Sequence, residues 1–352
     1  MKSVYSFLSE NWQAGGFAIA TVISSSGSSP GRAGTSALIT REGLLYGTVG
    51  GGIAEKKVIE TAAGYVGNNK SGVFHYNLGN TLSDHNEAVC GGTMKVLIDS
   101  SISNDSNFSD NLKEIQRKKI PYVVVTSADI LPDGEYFITR ALAGEAFFYG
   151  PEILFSDEVR NKISELLAPG RRNDIFVYSS LEAGKESYLI LESVFRPPRL
   201  VIAGAGHIGK AVCMLGNFLG FEVTVIDDRP EFVNKTNLPG ADNILAGNIG
   251  EAIKKVEKDR STFIVIVTRG HSNDSEALRN CIASDAAYIG MIGSRTKTEL
   301  MRKEFISRGW ATQEQWEKIH TPVGIKINSV TVEEIAVSIA AELVMVKNSS
   351  GA

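Results

Sequence analysis

One stretch limits the folds open to this 352-residue chain more than any other: residues 199–229, RLVIAGAGHIGKAVCMLGNFLGFEVTVIDDR. An apolar run ending at Ala203 meets Gly204, Gly206 and Gly209, an amphipathic segment runs to Leu219, and a second apolar run ends at Asp227. The order is strand, glycine turn, helix, strand. Gly204 permits the tight turn, Gly206 lets backbone approach a pyrophosphate, and Gly209 lets the helix pack close to the strand. The helix N-terminus, with His207 in its first turn, then faces the phosphates. Asp227, 18 residues beyond Gly209, stands where an acid reaches a ribose hydroxyl, which favours a dinucleotide with a free 2′-hydroxyl; Arg229 beside it can instead accept a 2′-phosphate.

Beyond Asp227, strand patterns at 243–245, 262–268 and 288–292 alternate with helical ones. Such alternation predicts a doubly wound parallel sheet with helices on both faces and ligands at the carboxyl ends of the strands. Four loops converge there: Gly204 to Gly209; Asp227, Asp228 and Arg229; Arg269, Gly270 and His271 with Asp274; and Gly293, Ser294 and Arg295. His271 reads either as a proton shuttle or ligand contact or, with Asp274 capping the next helix, as part of an ordinary loop and cap.

A single core stops growing near about 250–300 residues, so a second domain is expected before this one. The linker is Phe195, Arg196, Pro197 and Pro198, giving a first domain over 1–195 and a Rossmann-like one over 196–352. With 43% apolar and 22% charged residues the composition is that of a globular protein, and a net charge of −4 supplies no general attraction for nucleic acid. No apolar run approaches the roughly 18–20 residues needed to span a bilayer, and the N-terminus lacks a basic flank followed by an apolar core. A cytoplasmic protein is expected. Three cysteines, Cys90, Cys213 and Cys281, form no paired spacing, which argues against a disulfide framework or a zinc site.

The first domain reads as mixed α+β. Its loop at 24–34 is rich in serine and glycine and carries one cation, Arg32, among small residues; it is either an anion-binding loop or a polar hairpin loop. Gly50, Gly51 and Gly52 precede a helical pattern over 53–65, leaving bare amides suited to a phosphate or oxyanion. Glu55, in the first turn, reads as a catalytic acid or base, a ligand contact, or a residue that simply favours the helix dipole. Cys90 sits before Gly91 and Gly92 at a loop-to-strand junction. Free cysteine is more often a buried small hydrophobe, but flanking glycines expose this sulfur and offer amides that lower a thiol pKa. Cys213 and Cys281 lie at core spacing in helices.

The motifs SSGSSPGRAG, GTVGGGIAE, VCGGTMKVLID, RLVIAGAGHIG, VIDDRPEF, VTRGHSNDSEAL, YIGMIGSRTK and TPVGIKINSVTVEEIAVSIAAELV together resemble the XdhC/CoxI family, in the family's order and across both domains. The resemblance implies an accessory protein of xanthine dehydrogenase or a related molybdenum hydroxylase in purine catabolism. Such a protein binds molybdenum cofactor, protects it during sulfuration by a cysteine desulfurase and aids its insertion into the apo-enzyme. It carries Cys90 over as the thiol of the CGG motif, a candidate molybdenum contact. Ile53 stands where CoxI-like relatives have cysteine, so this chain looks nearer the xanthine dehydrogenase branch. A homodimer is expected. The alternative is an NAD(P)-dependent oxidoreductase with His271 as acid or base, although the first domain shows no hydride-transfer constellation and no iron–sulfur cysteine pattern.

Overall fold

A computed structural model describes residues 3–349 apart from 14, 78–91, 133, 169–170, 172 and 183–184. The chain divides into two compact units, Lys2–Arg196 and Pro197–Ala352. The expected fold class holds: antiparallel sheets with helices in the first unit, a parallel α/β sheet in the second.

In the first unit, strands β1 (Ala18–Ser26), β2 (Ser36–Thr40), β3 (Gly43–Gly47), β4 (Ser71–Asn77) and β5 (Thr93–Asp99) form one sheet in the order β3-β2-β1-β5-β4. A second sheet holds β6 (Tyr122–Ile130), β7 (Tyr136–Ala143), β8 (Phe148–Tyr149), β9 (Ile175–Glu182) and β10 (Lys185–Val194), in the order β8-β7-β6-β10-β9. The period of two along each strand sorts the side chains. On β5, Met94, Val96 and Ile98 pack with Val58 and Ala62 of helix α2 (Gly52–Tyr65), while Leu97 turns to the other sheet and meets Tyr188 and Ile190. The outer face of the second sheet buries Val123, Val125 and Leu191 against Val159 and Ile163 of the helix over Asp157–Leu166. Helices α1 (Val4–Asn11) and α3 (Ser106–Lys118), with Tyr5, Leu8, Phe108 and Leu112, close a further core.

The space between the sheets is not purely apolar. Lys95 donates to Glu186 at 2.8 Å, Arg140 pairs with Asp99, and the Tyr5 hydroxyl donates to Glu192 at 2.5 Å. Burial pushes Glu192 up to about 7 against the pull of hydroxyls from Tyr5 and Ser36. A carboxyl raised in the folded state favours its neutral form, so stability falls as pH climbs from the ordinary 4.5 through about 7. Glu192→Gln, which keeps an acceptor for Tyr5, is therefore expected to unfold at higher urea than the wild type at pH 8, by roughly 2–3 kcal/mol, with the gap narrowing toward pH 5. Parallel pH dependences for the two proteins would refute it.

In the second unit, β11 (Arg199–Ala203), β12 (Glu222–Asp227), β13 (Asn243–Ala246), β14 (Thr262–Ile266) and β15 (Tyr288–Met291) are all parallel, in the order β13-β12-β11-β14-β15. This is the Rossmann order, with its reversal between β11 and β14. Leu200 and Ile202 meet Val212 and Cys213 of helix α5 (His207–Phe218) and Ile339 and Leu343 of the C-terminal helix (Val332–Ser349). Their neighbours Val201 and Ala203 face Ile253, Leu278, Met301 and Trp316 on the opposite side. Cys213 and Cys281 are both buried, Cys281 in the turn just past the helix over His271–Arg279 rather than within it. Burial pushes their thiols up to about 11 at Cys213 and about 12 at Cys281. No helix among the described residues is long and apolar enough to cross a membrane.

Candidate functional site

Candidate residues of the first unit meet where three backbone segments interlock through glycines. An added Cβ would lie 2.2 Å from the Val49 carbonyl oxygen at Gly31, 2.3 Å from the Gly31 nitrogen at Gly50, and 2.5 Å from the Ser26 carbonyl oxygen at Gly92. These approaches bring the loop carrying Arg32, the turn before α2 and the entry to β5 together, and Ser26 Oγ lies 2.6 Å from Thr93 Oγ1. Arg32 is exposed. Gly51 and Gly52 have φ of +81° and +67°, and an added Cβ there meets nothing, so the cradle at the start of α2 is open. Cys90 and Gly91 lie outside the described residues.

Glu55 turns back onto this cradle. Its Oε2 accepts from the Thr48 hydroxyl and, at 2.8 Å, from the Val49 amide. Burial raises its pKa, but hydrogen bonds from Thr48 and the Val49, Gly51 and Gly50 amides outweigh that and hold it below the usual carboxylate range. A carboxyl held ionised in this way is a poor general acid. In the chain alone, Glu55 satisfies amides of the turn.

The candidate residues of the second unit gather at the carboxyl ends of the parallel strands. Gly204 has φ +112°, and a Cβ there would strike the Val267 carbonyl oxygen at 2.4 Å; one at Gly209 would lie 1.8 Å from the Gly204 carbonyl oxygen. Gly206, the N-cap of α5, has an ordinary φ of −68° and would place its Cβ in open space. The first two glycines are thus demanded by the chain itself. Nothing in the chain demands the third. Gly206→Ala is expected to lower the unfolding free energy by no more than about 1 kcal/mol, the cost of a poorer N-cap, whereas Gly209→Ala should lose more, about 2–3 kcal/mol or above, from overpacking. Thermal melts of both variants check this, and equal losses would contradict it.

Asp227 does not project outward as the spacing predicts. Its side chain is 2% exposed, and it takes hydrogen bonds from the Ala205 amide at 2.6 Å and from Arg229. Burial opposes its charge, yet the Arg229 guanidinium and these amides hold it at about 2. Asp274 is also turned inward. It is not the cap of its helix, α7 (His271–Arg279), whose N-cap is Gly270. Fully buried, it accepts from the Thr268 amide and hydroxyl and pairs with Lys297 at 2.5 Å. Ser294 caps α8 (Arg295–Ser307) by accepting from the Lys297 amide. His207, Arg269, His271 and Arg295 remain exposed at this end of the sheet. Among the described residues no three His, Cys, Asp or Glu side chains gather as a metal cluster.

Two family models match, in order: "XdhC and CoxI family" over residues 12–77 and "XdhC Rossmann domain" over residues 200–343. The chain belongs to the XdhC/CoxI family. Among its relatives, the Escherichia coli K12 protein YqeB is 25% identical over 95% of this chain, which spans only 44% of that protein's length. A probable xanthine dehydrogenase subunit from Bacillus subtilis 168 is 23% identical over 94% of this chain and 92% of its own length. A solved structure described as a xanthine dehydrogenase from Bacillus halodurans has a TM-score of 0.76 at 22% identity, over 99% of this chain and 96% of that one. At that identity the likeness speaks to fold. Arg32, Gly50 to Gly52 and Glu55 fall inside the first matched span; Cys90 falls in neither.

Two polar groups in the Rossmann span of this XdhC/CoxI chain were not singled out from sequence. Lys297 had a signal, since a lysine in the first turn of a helix opposes the dipole and needs a nearby acid. The second is Glu342, a lone acid in the apolar stretch of the C-terminal helix. It accepts from the Tyr288 hydroxyl at 2.6 Å and the Gly324 amide at 2.7 Å, and lies 2.9 Å from His320 Nδ1. His320 makes an isolated parallel bridge to Gly290, so Glu342 fastens one more extended segment to the edge of the sheet.

Proposed function

We propose that this protein is an accessory factor of a xanthine dehydrogenase, binding that enzyme's molybdenum cofactor and assisting its sulfuration and insertion. The observation that carries the reading is membership of the XdhC/CoxI family, with a family model matching in each unit. The positive-φ turn at Gly51 and Gly52 leaves room beside the start of α2, and a pterin phosphate would take there the turn amides that Glu55 now holds. Arg32 beside it supplies a positive charge, and Cys90 a soft donor for molybdenum. When bound, the cofactor would bring the metal and the exchangeable sulfur, the latter supplied by a cysteine desulfurase. The chain's own part is to hold the phosphate and shield the group until transfer. Nothing among the described residues favours the alternative, an NAD(P)-dependent oxidoreductase.

The test is purification from a molybdenum-competent host, followed by molybdenum and pterin analysis and addition to apo-xanthine dehydrogenase. Bound molybdopterin and a rise in the enzyme's activity are the expected results. A protein that carries no pterin and leaves the apo-enzyme inactive would overturn the reading.

A further inference from the structure

We propose that Arg229 closes the ribose position of the Rossmann crevice, so that the second unit keeps the dinucleotide-binding frame but does not accept NAD. In dinucleotide domains the acid ending the second strand takes the ribose 2′-hydroxyl. Here that acid is Asp227, at the end of β12, and its acceptor sites are filled from within. The Ala205 amide donates to Oδ2 at 2.6 Å, the Arg229 amide to Oδ1 at 3.0 Å, and Arg229 Nε and Nη2 to the two oxygens at 2.8 Å each. An ionised carboxylate offers about four lone-pair sites, and four donors occupy them.

Ribose hydroxyls would have to displace a forked, charge-assisted pair, and hydrogen bonds between charged partners are roughly twice as strong as neutral ones. Arg229 is held in place as well, its guanidinium 4.0 Å from the centre of the Phe232 ring. Nor does it stand ready for a 2′-phosphate. Asp228 lies 3.9 Å from Nε, adding a second negative charge where that phosphate would arrive. The closure is a property of the crevice and does not depend on which enzyme the protein serves.

Calorimetric titration of the full chain with NAD+ and with NADP+ tests the idea, with far-ultraviolet circular dichroism to confirm folding. Wild type is expected to show no saturable binding of either. Arg229→Ala, which frees one acceptor site on each Asp227 oxygen, should raise NAD+ affinity about tenfold or more. Arg229→Lys keeps the positive charge beside the buried acid and so the fold, but cannot fork; it should show a smaller gain. Saturable NAD+ binding by wild type, weakened by Asp227→Asn, would overturn the proposal. So would NADP+ binding by wild type that Arg229→Ala removes, or folded variants with no gain for NAD+.

Discussion

Arg140→Ala is expected to lower the unfolding free energy by about 3 kcal/mol, at the low end of the range for breaking a buried ion pair. Arg140 on β7 reaches Asp99 on β5 with side-chain exposures of 5% and 7%, joining the two sheets of the first unit. Its Nε donates to Asp99 Oδ2 at 3.0 Å, Nη2 also contacts that oxygen and Ser101 Oγ, and Nη1 lies 3.5 Å from Asp105. Truncation would leave the Asp99 charge between the sheets. The loss stays moderate because Ser71 Oγ, the Ser101 amide and Ser101 Oγ still donate to Oδ1. Urea denaturation followed by tryptophan fluorescence measures it. A loss below about 1 kcal/mol would mean the pair behaves like an exposed one. The double variant Asp99→Leu with Arg140→Met should not recover the loss, because Ser71 Oγ, the Ser101 amide and Ser101 Oγ would then lose their acceptor.

Cys90→Ser is expected to yield a folded protein that retains little molybdenum cofactor and fails to activate apo-xanthine dehydrogenase. Serine keeps the size of the side chain but removes a soft donor, and thiolate is a far better molybdenum ligand than an alcohol. The two other thiols are buried in the second unit with raised pKa values, so they cannot substitute. Molybdenum content of the purified variant and alkylation rates of the wild-type thiols read the effect independently of partner activity. Cys90 should alkylate well ahead of Cys213 and Cys281. Full cofactor retention by Cys90→Ser would sink the thiol-ligand role and leave Arg32 and the glycine cradle as the binding elements.

Local chemistry made much of the fold legible. The Gly204 and Gly209 spacing between two apolar runs specifies a strand, turn and helix because these two glycines answer short-range steric demands, and their Cβ distances bear that demand out. The residues 94–99 likewise foretold a strand, which the fold buries on both faces as β5. Side-chain direction at the candidate sites was another matter. From sequence, Glu55 reads as an acid or base, a ligand contact or a residue favouring the helix dipole, and Asp227 as an acid placed to reach a ribose hydroxyl. In the folded chain each carboxylate turns back onto its own turn, Glu55 onto the Thr48 hydroxyl and Val49 amide, Asp227 onto the Ala205 amide. The same amides that would hold an external anion hold an internal one.

The sequence by itself determined the order of elements, the parallel second sheet and the places where backbone amides stand open, since these depend on propensity, period and glycine sterics over a few residues. Only the tertiary structure decided which donors answer which acceptors. Lys297 meets Asp274 across 23 residues, Arg140 meets Asp99 across 41, and Tyr288 meets Glu342 across 54. Such pairs form because burial makes an unpartnered charge or hydroxyl costly, so each is stabilised by whatever partner the packed sheets and helices bring near, a constraint that carries no signature in the local sequence.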